Sequence, residues 1–494
     1  MQRDLVRRGR LSDDRPEEVM HFLSSMAADH WIADMDVLVD MAHLLMLRKQ
    51  GIIDSEAAHA LMGALLDFYW DGIPAEAYDE QFEDIHAGKE AMLIARVGEE
   101  FGGRLHMARS RNDEVATCIR MRLRRELVAL MEETCTLRGV LLETAGAHLS
   151  TIMPGFTHLQ HAQPTTLAHH LLAYEQALSR DFARFADAYV RLNECPLGAA
   201  AFASTGFPID REYTARLLGF DRPMGNSMDA VSARDFALEA LSACATMTAT
   251  TSRLCEEMVI WSTSFVRFVT LADGYSSTSS IMPQKKNPDT AEIMRAKTGT
   301  VAGALVSALT ITKGLPMSYN RDLQELTPHL WRGVEAAEES LAVLAGLIKT
   351  ATFNTGRMAE EAGKGFSTAT ELADVMVREF GLPFRTAHSI VGRAVKMGAL
   401  DLATLEAAAE EVAGLSLRER GLTPERITAA LDPAISVAER GAIGGPAPAE
   451  TGRACAERKE RLAADLALVA ARKEAENTAV NRLIAEAERL AEHE

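Results

Sequence analysis

Residues 275–289, YSSTSSIMPQKKNPD, set five hydroxyl side chains in a row (Ser276 to Ser280) ahead of two prolines, two lysines and an asparagine. A serine is a poor base at its ordinary pKa and works only where its surroundings favour the alkoxide. Lys285 offers a fixed cation here, Asn287 an amide donor, and the helix expected to follow offers its free N–H groups. Such a set suits elimination beside a carboxylate: a serine removes the proton while the lysine and the amide hold a doubly charged aci-carboxylate. The plainer reading is a polar loop between helices. Neither GxSxG nor SxxK occurs, so acyl transfer fits less well.

Three other polar clusters interrupt the helical pattern. ARSRNDE (108–114) opens a long helix; its Ser, Asn and Asp are natural N-caps, and Arg111 with Asn112 also suits a carboxylate. PGFTHLQHAQP (154–164) carries His158 and His161 three apart. That spacing raises metal binding, but the segment has no acidic residue or cysteine and no HExxH, so general acid/base work is the better reading. NSMDAVSARDF (226–236) brings Asp229 and Arg234 to the start of the longest helical run, either as first-turn charges or, for Arg234, as an anion contact.

These clusters need long elements to hold them apart and in register. Residues 104–138, 165–195 and 226–273 contain neither Gly nor Pro, which predicts helices longer than a globular average. In the second run Leu167, Leu171, Tyr174, Leu178, Phe182, Phe185, Tyr189 and Leu192 follow steps of three and four, a seam for left-handed helix packing. Leu254, Met258, Trp261 and Phe265 extend the rhythm in the third run. A structural coiled coil shares this pattern, but the polar breaks at 153–164, 196–225 and 274–289 favour an enzyme bundle with functional loops. Three domains follow: an N-terminal helical domain (1–108), a central long-helix bundle (109–360) and a C-terminal helical domain (361–494). The last of these closes on an Ala-, Glu- and Arg-rich solvated helix beyond GAIGGPAPAE (441–450).

Composition agrees with an all-α fold. Aromatics are 6% of 494 residues, and strand formers yield to Ala, Leu, Glu and Arg. The formal charge of −18 argues against nucleic acid or an anionic membrane as partner, and no apolar run reaches membrane-helix length. The six cysteines lack metal spacing and read as buried free thiols in a reducing compartment; with no secretory signal at the start, a cytoplasmic enzyme is expected.

SSIMPQKKNPD is similar to the signature loop of the fumarase/aspartase superfamily, and its QKKNPD ending resembles the argininosuccinate lyase family within it. RLHMARSRNDEVAT, MPGFTHLQHAQP, CPLGAAAFASTGFPIDRE, NSMDAVSARDF and KGLPMSYNRDLQE resemble that family in order and spacing, as do FLSSMAADHWIADMDVLVDMAH and FEDIHAGKE near the start. The resemblance implies five central helices per subunit, a homotetramer with a twenty-helix core, and active sites shared between subunits. It implies reversible cleavage of argininosuccinate to arginine and fumarate, without cofactor or metal. By motif, Ser279 is the base, His158 serves or supports the acid, and Lys285 and Asn287 hold the aci-carboxylate. Ser25, Arg111, Asn112, Thr157, Arg234, Tyr319 and Gln324 bind substrate. The chain departs from the family at Gly198-Ala199-Ala200, where Gly-Ser-Gly is common, at Thr278 for Gly, at His161 for Arg and at Thr327 for Lys. The missing lysine keeps another N-substituted aspartate open as substrate, and a non-catalytic relative in the eye lens keeps a structural role open.

Overall fold

The computed structural model describes residues 15–492. Helices α1 (Ala33–Lys49), α2 (Ser55–Trp70) and α3 (Ile85–Val97) precede five long helices: α4 (Arg111–Ala147), α5 (Leu167–Leu192), α6 (Asp235–Ser262), α7 (Asp289–Thr312) and α8 (Asp322–Thr350). Shorter helices follow, among them α9 (Ala369–Arg378), α10 (Phe384–Met397), α11 (Leu402–Ala413) and α12 (Pro424–Leu431), and α13 (Pro448–Glu492) closes the fold.

The five long helices run up and down. Arg138 of α4 meets Glu175 of α5, Arg191 meets Glu239 of α6, Glu256 meets Arg295 of α7, and Lys297 meets Glu339 of α8. Each pair joins the late part of one helix to the early part of the next, or the reverse, so neighbours are antiparallel. Helices of 28 and 29 residues, α6 and α8, span about 40 Å at about 1.5 Å per residue. The starts of α4, α6 and α8 therefore lie at one end of the bundle, and the starts of α5 and α7 at the other.

The heptad-like seam holds. Seven of its members on α5 are buried and Tyr174 is half-buried. Leu254, Met258 and Trp261 are buried too, but α6 ends at Ser262 and Phe265 is 88% exposed, so the rhythm stops one step early. Glycine and proline mark these boundaries poorly. Helix α4 starts at Arg111, capped by Ser110 and Asp113 in a reciprocal box, and runs through Gly139 and Gly146. The 226–273 run breaks at Ala233–Arg234, between a short helix (Ser227–Ser232) and α6.

One core joins the N-terminal helices, the bundle and part of α13, while Leu372 to Ala430 form a separate smaller core. Helix α13 is less solvated than its composition suggests. Cys455, Val469, Leu483, Ile484 and Ala487 are buried, and Arg138 reaches Asp465 at 2.7 Å. All six cysteines are free and buried. Strands are few and short. The longest two, β1 (Ile152–Thr157) and β2 (Gln160–Thr166), form an antiparallel hairpin where the sequence suggests only a polar break.

Candidate active site

The starts of α4, α6 and α8 frame a cleft of about 190 Å³. Six of the expected site residues line it: Ser25, Arg111, Asn112, Arg234, Tyr319 and Gln324. They come from four separate chain segments, which the antiparallel bundle and the N-terminal helices bring together.

Arg111 is already committed, donating both ways to Asp84 at 2.7 and 2.8 Å. Asn112 donates to the Ala201 carbonyl at 3.0 Å, and Gln324 donates to the Leu23 carbonyl at 3.0 Å. Arg321 donates to the same carbonyl at 2.7 Å and pairs with Glu83, so the segment carrying Ser25 is pinned from α8's end. Ser25 donates to Asp29 at 2.8 Å.

Arg234 stands apart. It is 3% exposed, donates to the Ala233 carbonyl at 2.8 Å, and has no carboxylate partner among the described residues. Its Nε has no hydrogen-bond partner, and burial lowers its pKa to about 10. A buried, unmatched guanidinium in a cleft wall suits an incoming anion.

Sequence reasoning missed Asp29, which lines the cleft, accepts from the Ile85 N–H at 3.1 Å, and is pushed up to about 6 by burial. Its place four residues after Ser25 was the available signal. Thr327, where the family commonly has lysine, also lines the cleft. Asp113 shapes the site from behind: its carboxylate accepts from Gly198 and Ala200 at 2.9 and 2.8 Å, holding the Gly198-Ala199-Ala200 turn. Gly198 has φ +89, and a Cβ there would meet Arg211 Cγ at 2.6 Å; Ala200 has φ 51 despite its side chain.

The remaining expected residues lie at the opposite end. Thr157 and His158 belong to the tip of the β1–β2 hairpin. His158 and Leu159 both have positive φ, 55 and 58, as a two-residue turn matched to hairpin twist demands. Neither is Gly or Asn, so each stores about 1–2 kcal/mol of strain, and both are exposed. Ser279 follows β3 (Ser277–Thr278), which pairs with β4 (Lys286–Asn287) to close the loop. Its Oγ accepts N–H bonds from Ile281 at 3.3 Å and Met282 at 3.0 Å, and such donors stabilise an alkoxide. Asn287 donates to Ser277 Oγ at 3.5 Å.

The two lysines differ. Lys286 is tied down by Asp273 and the Leu271 carbonyl, each at 2.6 Å, while Lys285 is exposed with no ion-pair partner among the described residues. Helix α7 begins just beyond, its first N–H groups uncapped by any side chain. No hydrogen bond joins the hairpin tip or the serine loop to the cleft among the described residues.

Two clusters of described residues have metal-ligand geometry, Asp36/His86/Cys118 and Asp36/Asp40/Glu114. Neither contains His158 or His161, and Lys89 and Arg109 already sit among these carboxylates as cations.

Bundle, cleft and serine loop together define a lyase of the superfamily that the sequence resembles. The chain matches the Lyase family over residues 9–303 and the argininosuccinate lyase C-terminal family over residues 366–438. It is 65% identical to an argininosuccinate lyase of Methanoculleus marisnigri, over 99% of this chain and 100% of that one. It is 57% identical to one of Methanospirillum hungatei, over 100% of both. Among solved structures, an EDDS lyase in complex with formate superposes with TM-score 0.86 at 29% identity, over 97% of each chain. A class II fumarase from Schistosoma mansoni shares the fold, with TM-score 0.68 at 18% identity over 82% of this chain and 90% of that one. The chain belongs to the argininosuccinate lyase family.

Proposed function

We infer that the chain carries out the reaction for which its relatives are named, reversible β-elimination of argininosuccinate to L-arginine and fumarate, a step of arginine biosynthesis. In the proposed mechanism, Ser279 as alkoxide takes the proton from the carbon beside the substrate carboxylate. Lys285, Asn287 and the start of α7 hold the aci-carboxylate that results. The C–N bond then breaks as the C=C bond of fumarate forms, and His158 supplies or supports the proton for the leaving guanidinium nitrogen. Arg234 takes a substrate carboxylate, while Ser25, Arg111, Asn112, Thr157, Tyr319 and Gln324 orient the rest. With threonine at 327, the amino-acid end loses a cation, which puts more weight on Arg234.

The observation that carries the reading is the separation of the candidate groups. The cleft residues and the acid/base residues lie at opposite ends of helices about 40 Å long, so a single chain does not close a site around one small molecule. Antiparallel docking of a second copy sets one chain's serine loop beside another's cleft. We therefore propose a homotetramer with a twenty-helix core, each site drawing on several subunits, and a three-part subunit divided near residues 108 and 360. We place it in the cytoplasm; among the described residues, no helix is long and apolar enough to cross a membrane.

Fumarate appearance, followed by ultraviolet absorbance after mixing purified protein with argininosuccinate, tests the reaction. Turnover that vanishes in Ser279→Ala supports it. Silence with argininosuccinate but turnover of another N-substituted aspartate would move the assignment to that substrate.

A further inference from the structure

Behind the cleft wall lies a second charged assembly that the elimination chemistry does not use. Asp36 and Asp40 share one face of α1, His86 and Lys89 one face of α3, and Arg109 and Glu114 flank the start of α4. Lys89 contacts Asp36 and lies 2.6 Å from Asp40; Arg109 pairs with Asp40 and lies 3.3 Å from Glu114. His86 Nδ1 is 2.9 Å from Asp36 and 3.7 Å from Glu114. No side chain of the six is more than 4% exposed.

Three carboxylates face two fixed cations, so the assembly is neutral only when His86 carries a proton. Burial opposes that charge, but Asp36 and Glu114 outweigh it and hold the imidazole well above its usual range. His43 is as deeply buried and also lies beside Arg109, yet burial and that arginine push it down to about 3. The Met107 carbonyl is its partner, at 2.8 Å. Partners, not burial, separate the two histidines.

His86 is also where the assembly meets the cleft. It forms the cleft wall beside Ser25, Asp29 and Arg111, and together with Arg111 it lines the small cavity around the assembly. The two fixed cations and their carboxylates sit one layer deeper.

We propose that the Asp36–Lys89–Asp40–Arg109–Glu114–His86 assembly is a positioning device for the anionic half of the substrate. Its internal charge balance sets His86, paired with Asp36 and Glu114, as a positive group in the cleft wall and locks the starts of α3 and α4, with Arg111 and Asn112, at one separation. Lys89 and Arg109 touch no substrate and act through His86 and Arg111. The inference rests on the reading of the cleft as the substrate site.

The test measures KM and kcat for fumarate release from argininosuccinate in three full-length variants, with folding checked by circular dichroism. Lys89→Met leaves three carboxylates against two cations, Arg109 and His86, and KM rises about tenfold or more while kcat changes by less than about threefold. The double variant Asp40→Asn/Lys89→Met restores neutrality while keeping the altered packing, and its KM returns to within about threefold of the parent. The double variant decides the matter alone if Lys89→Met fails to fold. An unchanged KM in folded Lys89→Met, or a double variant as weak as the single, overturns the proposal in favour of a purely structural role. Asn112→Ala separates the two layers of inference. A raised KM there with unchanged KM in Lys89→Met defeats the positioning role alone, whereas an unchanged KM in Asn112→Ala defeats the cleft reading itself.

Discussion

At the cleft end, charged side chains meet charged or backbone partners within the chain, except at the Nε of Arg234; at the loop end, the chemically distinctive groups stand largely open. Arg111 holds Asp84, Arg321 holds Glu83, and Asp113 collects three backbone N–H groups. At the other end Lys285 has no ion-pair partner among the described residues, and the hairpin turns on two residues with unfavourable φ. Leu159 is 77% exposed and Ile281 is 82% exposed, each next to a candidate catalytic side chain. Polar groups paired inside one chain make a preorganised binding surface. Strain and bare apolar side chains beside reactive groups mark a surface that another surface must complete. On the proposed reading, the difference teaches that binding geometry is intrinsic to the subunit, while the chemistry waits for assembly.

The largest effect expected from breaking the loop end is on turnover. Ser279→Ala and His158→Asn each lose about 10²–10⁴-fold in kcat, the range for a positioned proton-transfer group, with oligomeric state unchanged by light scattering. Near-normal turnover in both variants defeats the assigned roles.

Ligand-dependent protection gives the next effect. The serine loop has no buried apolar anchor between Ser276 and Asn287, and we expect it to close over bound substrate. Limited proteolysis within 275–289 then slows several-fold with saturating ligand. Equal cutting rates with and without ligand count against closure.

Midway along the bundle, Glu338 of α8 faces Glu126 of α4, and burial followed by the charges of Glu126 and Glu133 pushes Glu338 up to about 7 from 4.5. The folded chain thus keeps a proton that the unfolded chain sheds between these pH values, so stability falls as pH rises from about 4.5 through 7 and then levels. Glu338→Gln removes that slope, and its advantage in Tm over the parent is larger at pH 8 than at pH 5. An equal Tm difference at both pH values contradicts it.

The smallest effect belongs to the turn held by Asp113. Ala200 adopts φ 51, so Ala200→Gly relieves strain and stabilises by about 1 kcal/mol or slightly less, since glycine also loosens the unfolded chain. Chemical denaturation reads this directly, and a destabilised variant overturns it.

The sequence made much of this legible, and the gaps have physical causes. The α5 seam is visible because a buried helix face must repeat every three or four residues, and seven of its eight residues are buried. The β1–β2 hairpin was hidden because its turn uses His and Leu where the usual signal is Asn-Gly. The end of α6 was hidden because neither Gly nor Pro marks Ser262. Site residues were legible as polar clusters, yet spacing along the chain could not tell which ones meet. Arg111 looked like a free carboxylate grip, but Asp84, distant in sequence, already takes it. Asp29 was missed because its one signal, a place four residues after Ser25 on a short helix, is too common a spacing to single out one acid.

The most direct test of sites assembled from opposite ends of different copies is a mixing experiment. Asn112→Ala raises KM at the cleft end and Ser279→Ala abolishes turnover at the loop end, so with substrate held well below the raised KM each pure assembly is expected to release almost no fumarate. Dissociated, mixed and reassembled, the two produce some sites that draw an intact cleft from one copy and an intact loop from another. For random assembly with one copy contributing each cluster, fumarate release recovers to about a quarter of the parent rate. No recovery from a correctly reassembled mixture would mean that each chain builds its own site, and would contradict sites shared between subunits.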